Sequence, residues 1–386
     1  MVVACHIAPV VSPPPPPPDP AAARAEGLKL APWHLHVEIA PGLTTEDLYQ
    51  ETDRSEPFYD PAPAIKDWFT SLYPNGLEGR SAFDFACNNG AFLFALKEIG
   101  AGRCFGSDVR KHWIDQARFL VEHRHGPSDD MEFEVADLYE IPDRGLARFD
   151  IGIFAGVFYH LPDPIHGLRI AADLTKEVLF ISTASRGDHP DGLLVAAEES
   201  TSEARSGVHG LSFFPTGPKV LAQILAWMGF PAVHCLNWRN PAGTASHLDS
   251  LQIVAARDAR LLAGLESRRP PGDAGMLLRI QETVPPRAPM LVVRGKDDDT
   301  RDIPGREIWE FPEPPDPSDP NFPAPDARQL IAQLEGFWAA GAQYLVVPSS
   351  AFAWLDENQE FKSFLDFRYT ATVRDPTSCI LYDLST

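Results

Sequence analysis

Residues Phe83–Gly90 (FDFACNNG) form the stretch that decides the fold. The apolar run that leads into this stretch from Ser81 predicts a buried strand, and the small polar residues after it predict a tight turn. Ala91–Ile99 follows as an apolar helix that Gly100 ends. A strand, turn and helix in this order present backbone N–H groups and a helix N-terminus to a ligand.

Short strand-like and helix-like runs alternate from this stretch to Ala256, which predicts an α/β fold with a Rossmann-like, parallel, doubly wound sheet. Ser185–Gly210 is polar and is predicted as an insertion over one end of the sheet. The seven predicted strands are Ser81–Ala86, Arg103–Val109, Met131–Leu138, Phe149–Phe158, Val178–Thr183, Ala232–Trp238 and Leu251–Ala256.

Proline-rich stretches divide the chain. Pro13–Pro18 is a run of prolines, which predicts a disordered tail over residues 1–25. The next division, 26–260, holds the predicted sheet, and Trp33–Ile39 alternates apolar and polar residues like a half-buried strand. Residues 261–288 are predicted as a linker, and 289–386 as a second, smaller α/β domain whose role, in shaping an acceptor site or in forming a homo-oligomer, stays open.

The composition excludes several classes of protein. The 386 residues carry 33 Lys and Arg against 54 Asp and Glu, a net charge of −21, which disfavours a non-specific binder of nucleic acid. No run of about 18 apolar residues predicts a membrane span. The 5 cysteines are scattered without a CxxC pair, so we expect neither disulfides nor a zinc site, and a cytoplasmic location.

Three acidic residues each follow a predicted strand. Asp84 ends the first strand, Asp108 lies 24 residues later at the end of the second, and Asp137 ends the third. The carboxyl ends of parallel strands are where open α/β sheets bind ligands, and an acid at this spacing can bind both hydroxyls of a ribose. Three such acids in register favour a nucleoside site, with Asp137 at the base; the alternative is that they only cap helices.

The ordered set of motifs resembles class I S-adenosylmethionine (SAM)-dependent methyltransferases. It consists of Asp84–Gly90, Gly106–Val109, Ala136–Leu138 and Phe149–His160. Three further stretches, Trp33–Gly42, Phe158–Leu161 and Phe213–Pro215 before Met228–Phe230, resemble more narrowly the tRNA wobble-uridine (carboxy)methyltransferases and their bacterial small-molecule relatives.

This resemblance implies SAM as the cofactor and no metal. The residues that it places at the cofactor are Asp84, Ala86, Cys87, Asn88, Gly90, Asp108, Val109, Asp137, Leu138, Ala155 and Gly156. The family usually has three glycines in the turn, where this chain has Ala86, Asn88 and Gly90; asparagine still tolerates a left-handed backbone. The lysine with which carboxymethylating members bind an extra carboxylate is also missing. Its stretch, Leu43–Leu48, has two acids instead, which favours plain methyl transfer.

Tyr159 and His160 follow the fourth strand and match the family's Tyr-His pair. We expect His160 to accept a proton from the acceptor and Tyr159 to position it; the alternative is that His160 caps the next helix. The leading interpretation is a SAM-dependent methyltransferase, of the O-methylating kind, with a small-molecule or sugar-containing acceptor. The first alternative is a tRNA wobble-uridine modifying enzyme, which the negative charge disfavours. The second is a non-catalytic module that binds SAM or a nucleoside.

Overall fold

The structure is a computed structural model that describes residues 19–52, 58–124, 130–187, 189, 192–202, 207–239, 248–294, 303, 306–313 and 325–385. Its strands are β1 (Glu38–Ala40), β2 (Leu43–Thr44), β3 (Ala82–Asp84), β4 (Cys104–Asp108), β5 (Met131–Val135), β6 (Phe149–Ala155), β7 (Thr175–Ser185), β8 (Leu194–Glu198), β9 (Leu211–Pro215), β10 (Ala232–Arg239), β11 (Asp249–Ala256), β12 (Met290–Val293), β13 (Ile308–Phe311), β14 (Tyr344–Pro348), β15 (Thr370–Asp375) and β16 (Cys379–Asp383). Its helices are α1 (Pro20–Gly27), α2 (Thr45–Gln50), α3 (Ala62–Leu72), α4 (Ala91–Glu98), α5 (Lys111–Arg124), α6 (Pro164–Leu174), α7 (Pro218–Trp227), α8 (Ala263–Ser267), α9 (Gly272–Thr283), α10 (Ala327–Ala339), α11 (Phe352–Glu357) and α12 (Gln359–Arg368).

The central sheet has seven strands in the order β10-β11-β7-β6-β3-β4-β5, which confirms the predicted α/β class and strand count. The five strands from β7 to β5 in that order are parallel. Strand β11 runs opposite to both of its neighbours, so the predicted parallel arrangement does not extend to this edge of the sheet. The chain passes from β5 at one edge back to β6 beside β3, and this switch point opens a crevice at the carboxyl ends of the strands.

Apolar residues on both sides of this sheet explain its place at the centre of the fold. All five residues of β4 and all three of β3 are buried, as expected for strands that helices cover on both faces. Leu93 and Leu96 of α4 belong to the cluster on one face. Leu168 and Ala171 of α6 belong to the cluster on the other.

The N-terminal segment differs from its prediction. Only the end of Trp33–Ile39 is a strand, because Glu38 and Ile39 belong to β1. Before them, Leu35 forms an isolated bridge to Tyr59, and the side chains of Trp33 and Val37 are buried in the apolar cluster on one face of the central sheet. Trp33 is fully buried and donates its Nε1–H to the Gly27 carbonyl at 3.0 Å. The predicted tail includes residues 1–18, which lie outside the described residues, but helix α1 begins at Pro20, so the prediction is wrong for its last residues.

A second sheet of five strands, in the order β13-β12-β14-β16-β15, confirms the smaller C-terminal α/β unit. Strand β12 lies parallel to both β13 and β14, while β16 is antiparallel to β14 and β15. The range 261–288, predicted as a linker, contains helices α8 and α9. Within the described ranges, no helix is both long and apolar enough to cross a bilayer.

Candidate active site at the carboxyl edge of the central sheet

The turn after β3 is held in the shape that a ligand-binding turn requires. Asn88 has a φ of 50° and Gly90 a φ of 86°, both in the left-handed region. The Cys87 N–H donates to the Ser107 carbonyl at 2.9 Å, which ties the turn to β4. A Cβ at Gly90 would lie 2.7 Å from the Phe133 ring, so glycine is required here for space as well as for backbone conformation. Asparagine thus takes the left-handed position where the resembled family has glycine.

Asp108 links this turn to the next strand. One carboxylate oxygen, Oδ2, accepts the Asn88 N–H at 3.0 Å, and Oδ1 accepts the Arg110 N–H at 2.9 Å. Burial raises the pKa of Asp108 to about 6, although these backbone hydrogen bonds act to lower it. Each oxygen keeps a second lone pair, so the carboxylate can also accept hydroxyl groups from a ligand.

Asp84 is the most deeply buried of the three acids. It is 1% exposed, and its Oδ1 accepts the Ala86 N–H at 3.4 Å while its Oδ2 has no hydrogen-bond partner. Burial raises the pKa of Asp84 to about 8, and the charge of Asp108 acts in the same direction. Asp84 therefore lies behind the turn with one polar oxygen that its protein neighbours leave unsatisfied.

Asp137 caps the 3-10 segment Leu138–Arg144, because its Oδ1 accepts the Tyr139 N–H at 2.9 Å. The alternative that these acids cap helices thus applies to Asp137, whereas Asp84 and Asp108 accept backbone N–H groups outside the helices. It does not exclude a ligand, since Asp108 and Asp137 also line a cavity.

That cavity has a volume of about 370 Å³ and lies at the carboxyl ends of the parallel strands. It brings together eleven residues that the sequence analysis placed in the site: Ala86, Cys87, Asn88, Asp108, Val109, Asp137, Leu138, Ala155, Gly156, Tyr159 and His160. Asp84 and Gly90 do not line it, because Asp84 lies behind the turn and Gly90 begins α4 against Phe133. Burial raises the pKa of the Cys87 thiol well above its usual value, so Cys87 is no nucleophile at neutral pH.

His160 belongs to a 3-10 turn, Phe158–His160, that follows β6. Its Nδ1 lies 2.6 Å from Oε1 of Glu199. The ring of Tyr159 contacts the ring of His160, with centroids 4.0 Å apart. Helix α6 is capped by Asp163, whose carboxylate accepts the His166 N–H at 3.1 Å. The helix cap proposed as the alternative role of His160 is therefore filled by another residue.

The sequence analysis missed several residues around this cavity. Tyr59, Trp113 and His209 line it, and Glu199 reaches it through His160. They come from segments that are distant in the sequence, and no local pattern marks them. Only the polar insertion Ser185–Gly210 gave a signal, because it was predicted to lie over one end of the sheet.

The two acids of Leu43–Leu48 do not lie in the cavity. Asp47 forms a capping box with Thr44 at the start of α2, and hydrogen bonds from Thr44 lower its pKa. Glu46 is exposed and lies 3.9 Å from His36. The two acids that favoured plain methyl transfer in the sequence are therefore placed outside the lining of this cavity. Among the described lining residues, Arg110 is the only arginine and none is a lysine.

The residues present fit SAM. A volume of about 370 Å³ is within the range of small-molecule sites, roughly 300–1,000 Å³. The Asp108 carboxylate offers acceptors for ribose hydroxyls at a strand end. Val109, 44% exposed, and Leu138 offer apolar surface for a flat ring. The carboxylate suits the ribose hydroxyls of a nucleoside, and the apolar surface suits its base.

Parts of this chain are similar to known proteins. Residues 78–210 match the family model of a methyltransferase domain. The tRNA U34 carboxymethyltransferase of Campylobacter hominis is 33% identical over 93 residues, which are 24% of this chain and 31% of that protein. The enzyme of the same name from Ectopseudomonas mendocina is 28% identical over 164 residues, 42% of this chain and 48% of that one. The chain thus matches less than half the length of these relatives.

One solved structure that is similar to this chain is the N-terminal domain of EvdMO1 in the presence of SAH and D-fucose. Its sequence is 20% identical, and the match has a TM-score of 0.49 and covers 62% of this chain and 97% of that one. Another is the magnesium protoporphyrin IX methyltransferase of Synechocystis with bound SAM, with 16% identity and a TM-score of 0.36 over 51% of this chain and 78% of that one. Over residues 78–210 the chain thus resembles the methyltransferase-domain family, and over part of its length it resembles the tRNA U34 carboxymethyltransferases.

Proposed function

We propose that this protein transfers the methyl group of SAM to a hydroxyl group of a small-molecule or sugar-containing acceptor. The observation that carries the proposal is the meeting of two kinds of residue in one cavity. Asp108 and Asn88 offer a nucleoside-binding strand end, and His160 and Tyr159 offer a base and an aromatic neighbour at the same cavity. Binding and proton transfer are thus possible in one place.

SAM supplies, when bound, a methyl group on a positively charged sulfur. The residues of this chain have the remaining tasks. Asp108 holds the ribose hydroxyls and Asp137 the edge of the base. Tyr159 positions the acceptor, and His160 accepts the proton that the acceptor hydroxyl loses. Holding the reactants in line can contribute several kcal/mol, up to about 7–11 kcal/mol of the barrier, without covalent help from the protein.

Modification of tRNA is the second candidate function, and it is supported by the name tRNA U34 carboxymethyltransferase that both relatives described above carry. The net charge of −21 weighs against it, since binding along an RNA backbone depends on clustered Lys and Arg. Arg110 is the cavity residue that could contact an anionic group.

The test is methyl transfer from SAM with a radiolabelled methyl group, using the full chain. Two acceptor pools are supplied in separate reactions: a panel of phenols, alcohols and sugars, and total bacterial tRNA. We expect label in the small-molecule pool. His160→Gln should reduce the rate by about 10² or more, the usual contribution of a general base. His123→Gln, on the far end of α5, is the matched control and should act like the wild type.

Label in the tRNA pool alone would favour the second candidate over our proposal. Binding of SAM without label in either pool would favour a non-catalytic module. Undiminished activity of His160→Gln would remove His160 from the chemistry and leave the binding residues untouched.

A further inference from the structure

The hairpin formed by β8 and β9 reaches the proposed base. Glu199 follows β8 directly, and its Oε1 lies 2.6 Å from Nδ1 of His160. Its other oxygen, Oε2, accepts the Ser212 hydroxyl of β9 at 2.9 Å. The side chains of His160 and Glu199 are only 16% and 17% exposed. The carboxylate is thus held by its own hairpin and directed at one nitrogen of the imidazole.

The surrounding chain is shaped to keep this pair together. A Cβ at Gly207 would lie 2.7 Å from Oε2 of Glu199 and 2.8 Å from the carbonyl oxygen of His160. Glycine therefore lets the chain close over the pair. On the other side, the ring of Tyr159 stacks on the ring of Phe214 in β9, with centroids 5.9 Å apart. Both contacts join the hairpin to the Phe158–His160 turn.

We propose that Glu199 is the positioning residue for His160 and that the acceptor is a neutral hydroxyl group. This inference rests on the proposed function. Because Nδ1 lies 2.6 Å from this carboxylate, the proposal assigns the ring proton to Nδ1, and the neutral ring then presents Nε2 as its proton acceptor. A carboxylate or an already ionised acceptor would need no such base, whereas an alcohol does.

Each proton and electron pair in the transfer has a defined destination. The proton of the acceptor hydroxyl moves to Nε2, and the O–H electron pair stays on oxygen. That oxygen forms its bond to the methyl carbon as the carbon–sulfur bond breaks with its electron pair left on sulfur. The imidazolium that results is paired with the Glu199 carboxylate until it releases its proton to solvent.

The first test reads the tautomer of His160 directly by NMR of full-length protein with ¹⁵N-labelled histidine, at a pH where the ring is neutral. The His160→Gln protein assigns the signal. We expect the Nδ1–H form in the wild type and a shift to the Nε2–H form in Glu199→Gln. Glu198→Gln is the matched control, because Glu198 is the exposed neighbour on β8. An unchanged tautomer in Glu199→Gln would overturn the proposal.

The second test measures turnover of the neutral hydroxyl acceptor found in the panel, together with affinity for S-adenosylhomocysteine. We expect Glu199→Gln to lower kcat about 10²-fold or more, since loss of an orienting carboxylate in another enzyme costs about 10⁴. The affinity should stay within twofold. Unchanged kcat, or an acceptor that is ionised at the assay pH, would overturn the inference. Failure of wild-type protein to bind S-adenosylhomocysteine would instead overturn the proposed function, and the NMR result distinguishes the two.

Discussion

Asp108 holds the turn and faces the cavity at the same time, so its charge state affects ligand binding. Both of its oxygens accept backbone N–H groups, and burial raises its pKa to about 6. Ribose hydroxyls bind better to the carboxylate than to the neutral acid. Protonation below about pH 6 should therefore weaken the binding of the nucleoside.

We predict that affinity for S-adenosylhomocysteine falls about tenfold between pH 7.5 and pH 5, since one pH unit below a pKa leaves roughly a tenth of the group ionised. Titration calorimetry at several pH values measures this. Asp108→Asn should bind more weakly at pH 7.5 and lose most of the pH dependence. A wild-type affinity that is constant across this range would contradict the assignment.

Asp84 leads to a prediction about stability. The pKa of Asp84 is raised to about 8 in the folded protein, against about 3.9 for an unfolded aspartate. The folded state thus binds the proton more tightly, and stability due to this group is lost as the pH rises from about 4 to about 8. Asp84→Asn keeps a similar shape without the charge. The thermal midpoint of Asp84→Asn minus that of the wild type should therefore increase from pH 5 to pH 8.5. If the two midpoints instead change in parallel with pH, the raised pKa of Asp84 is contradicted.

At the scale of elements, the predictable parts are those whose pattern is local. The strands β3, β4 and β6 are apolar runs, and their alternation with helices along the chain predicted the α/β class that the structure has. Trp33–Ile39 has an equally clear alternation, yet only Glu38 and Ile39 belong to a strand, while Trp33 and Val37 are buried in the apolar cluster without one. Alternation of apolar and polar residues indicates that one side of a segment is buried, but it does not indicate whether a strand or a helix covers that side.

The Glu199–His160 pair illustrates what no local pattern reveals. Its members are 39 positions apart in the sequence, and Glu199 has no spacing or motif that marks it. Only the folding of the β8–β9 hairpin over the carboxyl edge brings the two side chains together. In contrast, Asp84, Asp108 and Asp137 were predictable because each follows its own strand.

A substitution at Gly207 tests whether the hairpin lies close to the His160–Glu199 pair. Gly207→Ala places a methyl group against His160 and Glu199, and overpacking of this kind costs about 1–3 kcal/mol. We expect a lower thermal midpoint and a loss of turnover. Gly336→Ala in α10 is the control, because nothing lies within 4 Å of its Cβ position, and it should preserve or raise the midpoint. Equal midpoints for Gly207→Ala and wild type would show that the hairpin does not close on the pair.

At the scale of the whole molecule, a network of charges links the central sheet to the C-terminal unit. Arg269, before α9, is 7% exposed and contacts Glu282 at 2.6 Å and Glu266 at 2.9 Å. His234 of β10 lies 3.4 Å from Glu266. Arg279 of α9 binds Asp375 of β15 at 3.0 Å, so the chain of contacts extends from one sheet to the other.

We predict that Arg269→Ala destabilises the protein by about 3 kcal/mol, because removing one partner leaves a buried charge on Glu282. Thermal unfolding followed by calorimetry measures this. The matched control is Arg260→Ala, whose exposed partner is Asp258 and whose midpoint should not change. If both variants melt like the wild type, the network does not hold these units together.

Calorimetric titration of the full chain with S-adenosylhomocysteine is the most direct test of the account, whose central claim is a nucleoside site at the carboxyl edge of the central sheet. We predict one site with micromolar affinity, a loss of at least 100-fold in Asp108→Ala, and no loss in Asp143→Ala, an exposed acid outside the cavity. No binding by the wild type, or equal binding by Asp108→Ala, would contradict it.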